Sequence, residues 1–227
     1  MIKTARIWEI DCLRGFAIIL MVVFHLIVDL KDFYSYPFQY LSGFWFYTGK
    51  LSAILFIFTA GISATLGKNT FKHGIKVFLW AMLLTLITYF YNDHTYIRFG
   101  ILHFLGFSIV SYPLLTQAHP ALLTITGLVW FIGGCLFTPI IVHSAYLFPF
   151  GLVSPTFESI DYYPIIPWYG VFLLGVAVGK NFYYRRQSLF AYHPAFTPIV
   201  SLGQHSLALY LIHQPVLLLA LHVVHAI

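Results

Sequence analysis

Long apolar runs separated by short polar stretches dominate this chain of 227 residues. A helix that crosses a hydrocarbon core of roughly 30 Å needs about 20 consecutive apolar residues, because each residue adds about 1.5 Å. Seven such runs can be drawn without overlap: 10–30, 44–66, 76–91, 99–116, 121–142, 164–179 and 201–226. The pattern therefore predicts an all-α fold, a polytopic transmembrane helix bundle of about seven spans.

Composition supports a membrane protein. The chain is 60% hydrophobic and only 8% charged, whereas soluble domains carry roughly 25% charged residues. No stretch between the runs is long enough for a separate soluble domain, so we expect one domain over residues 1–227. Cys12 and Cys135 fall at opposite ends of their predicted spans and show no metal-ligand spacing. We therefore expect neither a disulfide nor a bound metal.

The distribution of basic residues predicts a cytoplasmic N-terminus. In that orientation, only Lys31, Lys50 and Arg98 of the twelve Lys and Arg lie outside, as the positive-inside rule requires. The inner residues are Lys3, Arg6, Arg14, Lys68, Lys72, Lys76, Lys180, Arg185 and Arg186. The loops 67–76 and 180–196 are then cytoplasmic and the C-terminus is outside. The net charge of +5 reflects these loops, so we expect no nucleic-acid partner.

Four ionisable residues interrupt the first run, and they share one narrow helical face at 100° per residue: Asp11, Arg14, His25 and Asp29. We name this face the polar stripe. Charged groups at bilayer depth cost on the order of several kcal/mol unless they face protein or water. The stripe is therefore predicted to face the bundle interior, with Asp11 and Arg14 paired near the inner boundary. A purely structural alternative is that this ion pair and a water-exposed Asp29 have no further role.

His25 is the strongest candidate on the stripe. It lies within "MVVFHLIV", where a short imidazole cannot reach the membrane surface. Ionisable residues at such depth are functional candidates by default. The alternative is a neutral histidine that bonds a neighbouring helix. We predict that His25 is functional and that Asp29 or Asp161 orients its ring.

Three later stretches supply further catalytic candidates. "YIRFGILHFLG" contains His103, "SIDYYPIIPWYGVFLLG" contains Asp161, and "GQHSLALYLIHQPVLL" contains His213. The predicted topology places all three in the outer half of the bundle with His25. There His103 or His213 could stabilise a developing oxyanion, and Asp161 could orient a histidine. The alternative for Asp161 is an ordinary water-facing loop acid.

Four other polar residues are candidates for binding a substrate: Arg98, Lys50, Tyr210 and Gln214. Arg98 could instead anchor the helix at the membrane interface, which is a common role for arginine. Lys50 could extend outward to water, or it could pair with Asp29 or Asp161.

Five segments of the chain carry a family resemblance: "RIWEIDCLRGFAIILMVVFHLIVDL", "FIFTAGIS", "YIRFGILHFLGFS", "DYYPIIPWYGVFLLG" and "LGQHSLALYLIHQPV". In this order they resemble bacterial membrane proteins related to heparan-α-glucosaminide N-acetyltransferase. The ten residues between Arg14 and His25 are similar to the Arg/Lys-x10-His feature of membrane acyltransferases that decorate surface polysaccharides. The resemblance covers almost the whole chain.

This resemblance implies a multi-pass protein of the plasma membrane that takes acetyl-CoA as co-substrate. The acetyl group would pass from the cytoplasmic side to a glycan or small-molecule acceptor on the other side. His25 would act as base or as covalent carrier. Arg14 would attract the CoA phosphates, and Asp11 would belong to the same cofactor-binding site. The expected partners are thus the lipid bilayer, acyl-CoA and the acceptor. The segment "GVAVG", residues 175–179, offers a close-packing face that serves either a homodimer or packing inside the bundle.

Two other functions also accommodate the polar residues. A small proton-coupled transporter would use His25, His103 and His213 as a proton path. A noncatalytic membrane scaffold or partner subunit would use the polar stripe to join helices. Binding of acetyl-CoA to the purified protein distinguishes acyl transfer from both.

Overall fold

The computed structural model describes residues 6–136, 140–144, 146–191 and 197–226. Lys3 and residues 192–196 of the predicted cytoplasmic segments lie outside this part. The helices are α1 (Trp8–Tyr34), α2 (Gly43–Leu66), α3 (Thr70–Tyr91), α4 (Ile101–Leu115), α5 (Pro120–Leu136), α6 (Ile165–Phe182), α7 (Pro198–Gln204) and α8 (Ser206–His225). Two parallel strands of two residues, β1 (Ile140–Ile141) and β2 (Leu152–Val153), flank a 3₁₀ turn at Phe148–Phe150. The predicted all-α class is confirmed in this helical architecture.

Five helices among the described residues are long and apolar enough to cross a membrane, namely α1, α2, α3, α6 and α8. α4 and α5 are shorter apolar helices. Helix α3 begins at Thr70, so the predicted loop 67–76 is wrong in its extent. Hydropathy falls at Lys72 and Lys76, but lysine is a good helix former. These two residues therefore lie on the first turns of the helix.

The fifth and seventh predicted runs are not continuous helices. α5 ends at Leu136, and Ile140–Ile141 form a strand instead, as β-branched residues favour. The last run divides at His205, whose backbone angles of φ −106° and ψ 17° lie outside the helical range. The Thr197 hydroxyl accepts the N–H of Val200 at 3.4 Å and so begins α7 before the predicted start. No proline marks this break, so the apolar pattern did not reveal it.

The chain divides into two compact units, and each is described by itself. Unit 1 comprises Met1–Thr59 and Arg186–Ile227, and unit 2 comprises Ala60–Arg185. In unit 1, α1 packs against α7 and α8. In unit 2, α3 packs against α4, and α5 packs against α6. The prediction of a single domain stays a prediction.

Glycines set the close packing of α1 on α7 in unit 1. A Cβ on Gly15 would overlap the carbonyl oxygen of Ile199, and one on Gly203 would overlap that of Asp11. The two backbones therefore touch directly. Nearby, the Ser52 hydroxyl donates to the carbonyl of Ala17 at 2.8 Å and joins α2 to α1.

Glycines play the same role in unit 2. A Cβ on Gly61 of α2 would overlap the carbonyl oxygen of Phe172 and lie 3.0 Å from the Cα of Gly175. A Cβ on Gly179 would lie 2.5 Å from the Thr65 hydroxyl. The "GVAVG" segment is therefore used for packing inside this unit, and the homodimer stays a prediction.

Candidate functional site

The inner end of the polar stripe forms an ion pair. The Arg14 guanidinium lies 3.1 Å from Asp11 Oδ1, and the pair is one helical turn apart. Asp11 is buried beside Gly203 of α7. The predicted pairing of these two residues is confirmed. Their role in binding CoA stays a prediction.

Higher on the stripe, His25 meets His213 of α8. The ring centroids are 4.8 Å apart with an interplanar angle of 89°. His25 Nδ1 lies 3.1 Å from the carbonyl of Met21, and His213 Nδ1 lies 2.6 Å from that of Tyr210. A carbonyl oxygen only accepts, so each Nδ1 carries the proton and donates it. In both neutral rings, Nε2 is then the atom that can accept a proton.

One turn after His25 on α1, Asp29 contacts Gln214, the residue that follows His213 on α8. Gln214 Nε2 donates to Asp29 Oδ1 at 2.7 Å, and Asp29 is only 2% exposed. Asp29 Oδ2, Gln214 Oε1 and His213 Nε2 are buried without a hydrogen-bond partner among the described residues. A buried polar atom left unsatisfied costs about 1–3 kcal/mol. These three acceptors suit a ligand that carries hydrogen-bond donors.

Aromatic rings flank this group in unit 1. The Tyr210 ring stacks on Phe56, with centroids 6.3 Å apart, and contacts His213 at 5.5 Å. The Lys50 ammonium lies 5.4 Å from the centre of the Phe46 ring. Asp29 bonds Gln214 instead, and its second oxygen has no partner among the described residues, so the predicted pairing of Lys50 with Asp29 is wrong. The pairing of Lys50 with Asp161 stays a prediction.

The histidine of unit 2 has a different environment. His103 is 2% exposed, and its Nδ1 accepts the N–H of Gly100 at 3.2 Å. Its Nε2 must therefore carry the proton, which it donates to the Thr85 hydroxyl at 3.0 Å. Thr85 in turn donates to the carbonyl of Ile97 at 2.7 Å. Both ring nitrogens are thus engaged, which favours a structural role over proton transfer.

Asp161 lies at the first turn of α4. Its Oδ2 accepts the N–H of Ile101 at 2.9 Å, where the helix dipole favours a negative charge. Gly100 is required here, because a Cβ would overlap the Asp161 carboxylate. The position of this carboxylate favours helix capping.

Arg98 lies beside this cap, and its guanidinium is 4.9 Å from the Tyr96 ring centre and 5.4 Å from that of Phe157. The adjoining segment is also tightly held. Tyr162 donates its hydroxyl to the Phe148 carbonyl at 2.6 Å, and burial raises the pKa of Tyr162 to about 12. Burial, with the nearby Asp161 charge as a second cause, also raises the pKa of Tyr163.

The structure therefore brings the predicted residues together in two groups. Unit 1 holds one group: His25, Asp29, Tyr210, His213 and Gln214. Unit 2 holds the other: Arg98, His103 and Asp161. The gathering of both groups into one outer site stays a prediction. Among the described residues, no group of three or more His, Cys, Asp or Glu could hold a metal ion.

Sequence reasoning missed Glu9. This buried carboxylate accepts the Ser188 hydroxyl at 2.9 Å and the Leu189 N–H at 2.8 Å. It thereby ties the segment after α6 to the start of α1 inside unit 1. The signal available in the sequence was the rarity of acidic residues, because the chain has only seven Asp and Glu residues.

Comparison with known families identifies the chain. The family model described as "Heparan-alpha-glucosaminide N-acetyltransferase, catalytic" matches residues 6–215, which is nearly the whole chain. Comparisons with curated proteins and with solved structures find no match. The family match agrees with the resemblance carried by the sequence motifs, and the chain belongs to the heparan-α-glucosaminide N-acetyltransferase catalytic family.

Proposed function

We propose that this protein transfers an acetyl group from cytoplasmic acetyl-CoA to a hydroxyl or amine of an extracytoplasmic acceptor, such as a sugar. The observation that carries this proposal is the pairing of His25 with His213 in unit 1. Both rings have Nδ1 fixed as a donor to a backbone carbonyl. The accepting Nε2 atoms are therefore available for chemistry.

His25 is the proposed proton acceptor. Its Nε2 would remove the proton from the acceptor hydroxyl or amine as that atom bonds to the acetyl carbon. The carbon–sulfur bond then breaks, and the CoA sulfur takes that proton back from His25 and leaves as the thiol, which regenerates the neutral ring. Alternatively, His25 would first attack the thioester and carry the acetyl group itself. The neutral imidazole suits either role, because its unprotonated nitrogen can accept a proton or attack a thioester.

Asp29 and Gln214 are proposed to position the acceptor. The hydrogen bond between them fixes both side chains, and each retains one buried acceptor atom without a partner among the described residues. These oxygens would receive the N–H or O–H groups of the acceptor. Tyr210, which contacts the His213 ring, would form one wall of the same site.

Arg14 is proposed to hold CoA at the cytoplasmic end of the stripe, with Asp11 orienting its guanidinium through their ion pair. Guanidinium groups bind phosphate oxygens in a bidentate manner. Arg14 and His25 are eleven residues apart on α1, which corresponds to roughly 16 Å of helical rise. An extended pantetheine arm would span this distance.

The proposed topology has about seven spans in the plasma membrane and a cytoplasmic N-terminus. The bias of basic residues toward one side supports this orientation. A cysteine placed at position 68 should react only with membrane-permeant reagents in intact cells. Its labelling by an impermeant reagent from outside would contradict this orientation.

Binding and transfer measurements on the purified full-length protein test the function. Radiolabelled acetyl-CoA should bind, and its label should appear on an amino sugar or a polyol in an acceptor mixture. Arg14→Ala should weaken CoA binding by roughly tenfold or more, on the scale of a charged hydrogen bond. Arg6→Ala is the matched control, because Arg6 is an exposed cation close to Arg14. Absence of CoA binding by the wild type would instead favour the transporter or scaffold function.

A further inference from the structure

Arg98 of unit 2 carries a charge that no acid pairs within the described part of the chain. It takes no part in the ion pairs that join Arg14 to Asp11 and His94 to Asp93. Arg98 Nε is buried and has no hydrogen-bond partner among the described residues. Arg98 as a whole is half-buried, but a buried donor left without a partner costs about 1–3 kcal/mol. The position therefore suits an anion.

Two aromatic rings hold the Arg98 side chain. Its guanidinium carbon lies 4.9 Å from the centre of the Tyr96 ring and 5.4 Å from that of Phe157. Cation–π contacts of this kind cover the faces of the guanidinium and restrict its orientation. Its hydrogen-bond donors point along the plane of the group, so they can still meet a ligand edge-on.

The backbone around Arg98 is fixed as well. Its N–H donates to the Ser159 hydroxyl at 3.2 Å, and that oxygen lies 2.7 Å from the carbonyl of Asp161. Alongside, Tyr163 donates its N–H to the carbonyl of Phe99 at 2.9 Å. A binding group that is already ordered loses little conformational entropy when its ligand arrives. Arg98 is thus presented as a preorganised binding group.

We propose that Arg98, between Tyr96 and Phe157, forms a binding site for an oxyanion, either a carboxylate or a phosphate. The guanidinium fork matches two oxygens of such a group. The anion belongs either to a soluble glycan or to the headgroup of an anionic lipid. The site stands on the geometry of unit 2 alone. Its use in holding an acidic acceptor rests on the proposed function.

Anion binding to the full-length protein tests this site without any transfer assay. The protein is held in uncharged detergent at constant ionic strength, and its unfolding temperature is followed against inorganic phosphate, glucuronate and glucose. Phosphate or glucuronate should raise that temperature saturably, and glucose should not. Arg98→Gln should weaken the anion affinity by about tenfold or more. Arg98→Lys keeps the charge but loses the fork, so it should show an intermediate loss.

Arg185→Gln is the matched control, because that guanidinium also lies over an aromatic ring, 5.3 Å from the centre of Tyr184. It should leave anion affinity unchanged. Nanodiscs of phosphatidylcholine with or without phosphatidylglycerol separate the two sources. Weaker binding of phosphate or glucuronate in the nanodiscs that contain phosphatidylglycerol assigns the site to a lipid headgroup. Equal binding in both kinds of nanodisc assigns the site to a soluble anion. Equal anion affinity in wild type, Arg98→Lys and Arg98→Gln, or an equal loss in Arg185→Gln, would overturn the proposal.

Discussion

Two buried histidine environments in this protein differ in how their hydrogen bonds are satisfied. In unit 2, both nitrogens of His103 have partners, Gly100 and Thr85. In unit 1, His213 Nε2 has no partner among the described residues. The predicted topology gave His103 and His213 the same possible role, stabilisation of an oxyanion. Their hydrogen-bond partners distinguish them, because a ring nitrogen that is already bonded must break that bond before it can move a substrate proton.

The largest expected effect concerns the pair in unit 1. His213→Ala should lower acetyl transfer by roughly 100-fold, the usual scale of acid–base catalysis. If His213 and His25 act together, the double variant should lose about as much activity as either single variant. The steady-state turnover of the two single variants and of the double variant, each relative to wild type, tests whether the two histidines act together. Fully additive losses would show that the two rings act independently.

The next effect concerns stability in unit 2. His103→Phe leaves the buried N–H of Gly100 without its acceptor, so the free energy of unfolding should fall by about 2 kcal/mol. Turnover of the folded protein should stay within roughly twofold, a change well below a catalytic loss. Denaturant unfolding and a turnover assay on the same sample test both statements. A large loss of turnover with unchanged stability would give His103 the role assigned here to His25.

A smaller effect is expected at Asp29. Asp29→Asn retains an oxygen for Gln214 Nε2 but removes the carboxylate, so kcat/KM for the acceptor should fall by about tenfold, chiefly through a higher KM. Asp32→Asn is the control, because Asp32 is exposed and accepts the Tyr40 hydroxyl at 3.0 Å. Acceptor KM should rise only in the Asp29 variant. Equal KM values in both variants would remove Asp29 from the acceptor site.

The smallest effect concerns alkaline pH. Burial raises the pKa of Tyr162 to about 12 in the folded state, whereas the unfolded value is about 10. The folded state therefore favours the protonated phenol. Its contribution to stability is complete below pH ~10 and is lost as the pH rises toward ~12. The unfolding temperature should fall across this range in wild type and fall less in Tyr162→Phe. Tyr146→Phe, at an 86% exposed position, should behave as wild type.

Apolar periodicity predicted the positions of most helices, because span length and hydropathy leave few alternatives in a chain this hydrophobic. The division of the last run at His205 was missed, since that break depends on local backbone geometry and carries no proline. Lys72 and Lys76 were placed in a loop, although charged residues can begin a helix. These errors arise where hydropathy and helix formation do not coincide.

The candidate site was predicted in part. Helical geometry placed Arg14 with Asp11, and the structure confirms that pair. The contact of Gln214 with Asp29 joins residues 185 positions apart, so spacing alone could not predict it. The satisfied hydrogen bonds of His103 also depend on tertiary packing. The sequence therefore identified candidate residues. The hydrogen-bond partners seen in the structure show which of them are held in structural roles and which keep an atom available for chemistry.

The most direct test of this distinction is the acetyl-transfer rate of His25→Ala against that of His205→Ala. Both histidines place Nδ1 near the carbonyl four residues earlier, at 3.1 Å for His25 and 2.9 Å for His205, but His205 is exposed. The account predicts a loss of roughly 100-fold or more for His25→Ala, with unchanged CoA affinity and unfolding temperature, and wild-type turnover for His205→Ala. Full turnover in His25→Ala would contradict it.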